Sequence, residues 1–160
     1  MLRDLLSALV VVFWSLWFGG QVALLLMVTT LFKALGERTF MDDGTGVFGV
    51  VGSTLFNSFN RYQLIVGAAA LVMTLALRVI NRSGICTALF SLLSLAAIGV
   101  VVITFLFTPK IDKMRADRAT KTPEFGKLHG QAMMVASADT LLLLAAGATL
   151  PKALRRTRGE

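Results

Sequence analysis

Residues 5–32 read LLSALVVVFWSLWFGGQVALLLMVTTLF, and no charged side chain interrupts them. Residues 85–108, ICTALFSLLSLAAIGVVVITFLFT, are equally free of charge. About 20 apolar residues span the ~30 Å hydrocarbon core of a bilayer, so each run is long enough to cross. The two runs decide the class: an integral membrane protein built from helices.

The rest of the chain agrees. Of 160 residues, 56% are hydrophobic and only 16% charged, with a mean hydropathy of +0.75. The net charge of +7 and the pI near 10.3 raise nucleic acid as a partner. Basic residues flanking apolar spans are what membrane orientation requires, so the bilayer is the expected partner and nucleic acid is not. Cys86 is the single cysteine, which excludes a disulfide within the chain and a multi-cysteine metal site. It reads as a small packing residue. The first run is too long for a signal peptide and lacks a small-x-small cleavage site at the right distance, so it reads as a retained span.

Between the two runs lies LFNSFNRYQLIVG, residues 55–67, with two asparagines, an arginine and a glutamine. Only 16 uncharged residues separate Arg61 from Arg78, which is short for a crossing. Taken over 47–80 instead, the segment makes ~51 Å of helix at ~1.5 Å per residue. That exceeds the hydrocarbon core, so the helix must tilt, break or project beyond it. A tight NRSG turn leads into a third span. TPKIDKMRADRATKTPEFGK, from Thr108, reads as the main extramembrane segment. Within it, Thr122-Pro123-Glu124 has the chemistry of a helix start: a capping hydroxyl, proline at the first position, an acid in the first turn. The expectation is one domain, residues 1–160, folded as an antiparallel four-transmembrane-helix bundle. Its spans fall at about 5–33, 47–80, 84–107 and 123–150. Helix two is long and projects beyond the bilayer, and the basic tail 151–160 frays.

Orientation is set by the basic residues. One side holds Arg3, Arg78, Arg82, Lys152, Arg155, Arg156 and Arg158, and the other holds both longer loops with eight. Raw numbers do not decide. The tail cluster and Arg78/Arg82 lie closest to span ends, where the rule acts most strongly, so both termini are expected in the cytoplasm.

Ser53, Asn57, Asn60 and Arg61 share one helical face, while Phe48, Val51, Leu55, Phe59 and Tyr62 make an apolar stripe. The polar face must look at protein or water, because lipid cannot satisfy it. Counting back from the span ends at ~1.5 Å per residue puts Arg61 at ~28 Å, His129 at ~31 Å, Gln131 at ~28 Å and Gln21 at ~24 Å. These residues share one level near the non-cytoplasmic mouth. They either snorkel at the headgroup boundary or line a polar pocket between helices two and four. The pocket candidates are Gln21, Asn57, Asn60, Arg61, His129 and Gln131.

Asp139 lies ~17 Å from Leu150 by the same rise, near the midplane. A charge there costs ~2.5–3.5 kcal/mol on insertion scales, so the acid is expected neutral or hydrogen-bonded to Ser91, Ser94 or Gln21. A proton- or cation-handling role is the sharper alternative.

Gly44, Gly46 and Gly49 match G-x-G-x-x-G, but a membrane span precedes them where a nucleotide site needs a strand. They read as a relaxed turn. Gly49/Ser53 and Ala132/Ala136/Thr140 have the small-xxx-small spacing of helix contacts in membranes. His129 is the only histidine, and a haem site there would need Met133 or Met134 as second ligand. No nucleophile–base–acid set or metal cluster assembles, so neither an enzyme nor a resident cofactor is expected.

The ordered segments FWSLWFGGQVALLLMVTTLFKALGERTF, STLFNSF and FGKLHGQ resemble the transmembrane-protein-205-like family, whose bacterial members are grouped as a domain of unknown function. The matching positions are Trp17, Gly19, Gln21, Phe32, Arg38, Phe40, Phe56, Phe125, His129 and Gly130. Where that family tends to carry an asparagine in its fourth span, this chain has Ser137 and Asp139. The resemblance implies four helices in a bacterial inner membrane, with no established activity. A fainter likeness to haem-binding four-helix membrane proteins lacks their histidine in span one. Three functions stay open. The first is a structural or interaction subunit, alone as a homo-oligomer or in a larger membrane complex. The second is a transporter or export accessory with a polar vestibule, and the third a haem-linked redox protein.

Overall fold

The computed structural model describes the backbone at residues 2–35 and 47–157, and side chains at 2–31, 33 and 51–154. Gly44 and Gly46 of the glycine motif, and the side chains of Phe32, Arg38, Phe40 and Phe48, lie outside the described residues, while Gly49 falls in the first turn of the helix from Val47. The described residues form α1 (Leu2–Leu35), α2 (Val47–Ile80), α3 (Gly84–Val102), a π-helical turn (Ile103–Phe107), α4 (Thr108–Ala116) and α5 (Pro123–Thr157). Four helical stretches are long and apolar enough to cross a membrane: Leu2–Leu31, Val51–Ile80, Gly84–Ala116 and Pro123–Leu154. The chain is an integral membrane protein of four such helices.

The helix starts follow local chemistry. Ser83 is extended and its side chain accepts the Cys86 N–H, capping α3. Thr122 Oγ1 accepts the Phe125 N–H at 3.3 Å ahead of Pro123, as its sequence predicts.

Two boundaries differ from the sequence reading. The third span does not stop near Phe107. Pro109 lacks the N–H that an α-helix would direct at the Phe105 carbonyl, and its ring crowds that carbonyl. The chain answers with one wide π turn in which the Thr108 N–H and Oγ1 both donate to the Ile103 carbonyl. Helical structure then continues to Ala116. At its end Arg118 takes a positive φ of 56°, with the Arg118 N–H bonding Arg115 O and the Ala119 N–H bonding Met114 O. That pattern closes a helix with a left-handed residue. The last helix, in turn, does not fray at Leu150. It carries Pro151 in its interior and runs to Thr157.

The helices pack in a ring: α1 against α2, α2 against α3, α3 against α5, and α5 more loosely against α1. On α2–α3, Asn60 meets Thr108 while Arg78 lies over the Phe90 ring. Hydrophobic burial adds little between helices already in lipid, so close contact over small residues holds them. Trp17 packs flat on Gly67, where a methyl group would come within 3.0 Å of the ring. Trp14 covers Gly147 in the same way, and its Nε1 donates to the Leu143 carbonyl at 2.8 Å. Tyr62 lies across Gly20 and donates to the Leu16 carbonyl at 2.7 Å.

Candidate functional site: a chamber between the helices

The buried core is confined to one end of the ring. Leu6, Val10 and Trp17, Val66 to Leu77, Cys86 to Val100, and Leu143 to Ala153 supply nearly all of it. Towards the other end the helices part around a cavity of about 470 Å³. Its wall comes from Gln21 to Val28 of α1, Ser53 to Gln63 of α2, Ile103 to Arg115 of the π turn and α4, and His129 to Leu141 of α5.

The floor is a hydrogen-bonded amide cluster. Gln63 Oε1 accepts from Trp17 Nε1 at 3.3 Å and from Gln21 Nε2 at 2.9 Å. Thr140 Oγ1 donates to Gln21 Oε1 at 2.5 Å. Three helices are thereby tied at one level.

One wall is built by the π turn. The extra residue in that turn rotates Thr108 toward α2, where its hydroxyl accepts from Asn60 Nδ2 at 3.0 Å. One turn further, Asp112 accepts from Asn57 Nδ2 at 3.0 Å and pairs with Arg115 at 3.6 Å. The expectation that Asn57, Asn60 and Arg61 face the last helix is therefore corrected: the two asparagines face α4. Arg61 is one residue on from Asn60, ~100° further round the helix, and is exposed. It does not line the cavity, and neither does Gln131, which is also exposed. Gln21, Asn60 and His129 do line it. His129 is exposed at the mouth and stacks on the Phe125 ring, with centroids 5.9 Å apart. Phe59, expected on a stripe facing lipid or another helix, lines the cavity and stacks on Tyr62.

Asp139 also reaches the chamber. It is 2% exposed, and its carboxyl lies so close over Gly99 that no side chain fits there. None of the expected partners holds it. Ser94 donates to the Phe90 carbonyl, Gln21 is taken by Gln63 and Thr140, and Ser91 is exposed. Among the described residues Oδ2 has no hydrogen-bond partner.

The chamber opens sideways. Leu25 of α1 and Leu141 of α5 both line it, yet they are 60% and 66% exposed. The walls are mainly apolar, with the polar groups gathered on the floor and at the mouth.

The sequence reading missed Gln63, Thr108, Asp112 and Thr140. Gln63 had a usable signal: counted back from Ile80 it lies ~26 Å deep, level with Gln21. The others had none, because which faces meet depends on helix rotation.

A family description, "Domain of unknown function (DUF4149)", matches residues 12–120. The match takes in α2, α3, α4 and most of α1, and it ends before α5, which brings His129, Asp139 and Thr140. No curated protein and no solved structure gives a match.

Proposed function

The chain belongs to the DUF4149 family, and we propose that it is a transport or export accessory that takes a membrane-dissolved molecule into the chamber between its helices. The observation that carries this reading is the cavity of about 470 Å³ that is open toward lipid between α1 and α5 and floored by a polar cluster. Sites for small molecules are concave and mostly apolar, with a few fixed polar groups that orient the ligand. An apolar chamber with a side opening suits a guest arriving from the bilayer. The proposal is of a binding protein and not an enzyme, with no resident cofactor.

The test uses the two tryptophans. In a Trp14→Phe background, Trp17 reports alone from beside the floor. A brominated dodecanol added to the protein in phosphatidylcholine nanodiscs should quench Trp17. Filling the chamber with Ala136→Phe should remove most of that quenching. Equal quenching in the filled variant would refute the reading.

We further place the four helices as an up-down membrane bundle with both termini in the cytoplasm, in a bacterial inner membrane. Arg78, Arg82 and Lys152 at span ends support this orientation. The 34 residues of α2 make ~51 Å of helix against a ~30 Å core, which supports its first turns standing outside the hydrocarbon. A reporter pair fused at Glu160 tests the topology: fluorescence is expected, and phosphatase activity would reverse it. The ordered motifs of α1, α2 and α5 support the narrower kinship with the transmembrane-protein-205-like family.

A further inference from the structure

We propose that the chamber selects molecules carrying a primary ammonium group on a hydrophobic chain, and that Asp139 is the residue that binds the ammonium. This inference rests on the chamber reading and names what the chamber holds. Asp139 lines the cavity, is 2% exposed, and keeps Oδ2 enclosed without a partner among the described residues. A buried acceptor left without a donor is an expensive arrangement, and native structures keep few of them. A ligand that brings its own donor removes the deficit.

Charge and shape narrow the class. The basic side chains of the lining are Arg115 and His129, both at the mouth. Arg115 is already paired with Asp112. His129 lies ten residues from Asp139 on the same helix, ~15 Å along its axis. Neither supplies a counter-charge at the floor. An ammonium carries three N–H donors and a positive charge on a compact centre. One donor meets Oδ2, and the oxygens of the neighbouring amide cluster stand at the same level for the others. A phosphate, sulfate or carboxylate head would bring acceptors of its own to an acceptor and find no cation near it. The chain of the ligand lies along Val22, Leu25, Phe56, Met133 and Leu141 and leaves through the gap between α1 and α5. Gly99 belongs to the same device, because any larger residue would push the carboxyl out of its seat.

Two sources share this chemistry: a membrane lipid with an amino head group, and a free amphiphilic amine. The experiment uses full-length protein in nanodiscs of phosphatidylcholine, which has no primary amine, and reads Trp17 in the Trp14→Phe background. Brominated dodecylamine should quench at a mole fraction at least ten times lower than brominated dodecanol. Asp139→Asn should erase that tenfold preference, so that amine and alcohol quench at the same mole fraction. N-acetylation of the amine should erase it on the unaltered protein, so the test survives even if the Asn variant does not fold. Chain-brominated phosphatidylethanolamine, placed in the nanodisc, assigns the source: Asp139-dependent quenching by it identifies the lipid, and quenching by dodecylamine alone identifies the free amine. If amine, acetylated amine and alcohol quench alike, the ammonium site is overturned while the chamber stands. If none of them quenches Trp17, the chamber reading falls as well.

Discussion

The two ends of the bundle are made from the same apolar alphabet and are built in different ways. At the end holding the chain termini, large rings sit on glycines: Trp17 on Gly67 and Trp14 on Gly147. Leu77, Leu89, Leu93 and Leu143 fill the axis, all fully buried. At the loop end the axis is empty, and the helices are held apart by side-chain hydrogen bonds from Gln21, Asn57, Asn60 and Gln63. Packing in lipid needs backbones close enough for van der Waals contact over small residues. In the open half small residues are present too, but Ser53, Ala132 and Ala136, expected at helix contacts, line the chamber instead, and polar bonds hold the helices around that space. A closed half that anchors and an open half that accommodates is a division of labour suited to holding a guest without losing the fold.

The largest effect that separates the halves is expected at Trp17. Trp17→Ala removes a fully buried ring and one donor to Gln63. Large-to-small changes of this kind cost about 3–5 kcal/mol. Leu25→Ala, in the open half, removes a side chain that is 60% exposed and should cost under about 0.5 kcal/mol. Denaturant unfolding in mixed micelles measures both. A similar loss for the two would mean that the chamber is collapsed in the membrane.

The glycines sharpen the contrast by changing the sign. A methyl group at Gly147 overlaps the Trp14 ring, so Gly147→Ala should destabilise by about 1–3 kcal/mol, the usual range for overpacking. Gly130 has nothing within 4 Å of an added Cβ. There Gly130→Ala should stabilise α5 by about 0.5–1 kcal/mol through the helical preference of alanine. Thermal melts followed by circular dichroism read both, and equal signs would break the comparison.

Next in size is the tie between α2 and α4. A double-mutant cycle on Asn57→Ala and Asp112→Ala should return a coupling of about 1 kcal/mol, within the range for hydrogen bonds between membrane helices. A coupling near zero would leave the wall of the chamber without its strut.

What the sequence carried and what it lacked divide along the same physical line. The four helices and the Thr122–Pro123 entry to α5 depend on hydropathy, length and local capping, which are written residue by residue. The common level of the polar groups did not follow: Gln21 bonds Thr140 on the floor, whereas His129, eleven residues before Thr140, stands at the mouth, ~16 Å away along α5. The third helix was ended near Phe107 because the uncharged run stops there, whereas a single π turn absorbs the N–H missing at Pro109 and carries Thr108 and Asp112 onto α2. Azimuth was the other gap. The Trp17–Gly67 and Tyr62–Gly20 contacts fix how far α2 is rotated, and no pattern within α2 alone contains that angle. For that reason the lining keeps Gln21, Asn60 and His129 and leaves out Arg61.

Arg61 supplies the smallest expected effect and the most direct check of that rotation. Ser53, Asn57 and Asn60 fall within ~60° of one another on a helical wheel, while Arg61 lies ~40° beyond Asn57 and ~100° beyond Asn60. That step is enough to carry a long side chain from the wall of the chamber to the outer surface, where it is exposed. The long side chain extends toward headgroups or water and needs no partner inside the bundle. Arg61→Ala should therefore change stability by less than about 0.5 kcal/mol and leave Trp17 quenching by the brominated probes unchanged. Asn60→Ala, one residue away, should weaken the contact with Thr108 and alter the same quenching curve. A cysteine at position 61 in a Cys86→Ser background should react with a membrane-impermeant thiol reagent, and a bound alkylamine should not protect it. A cysteine at position 60 should react more slowly and be protected. If the two positions exchange these behaviours, α2 is rotated by one residue step in the membrane and the chamber is lined by its arginine.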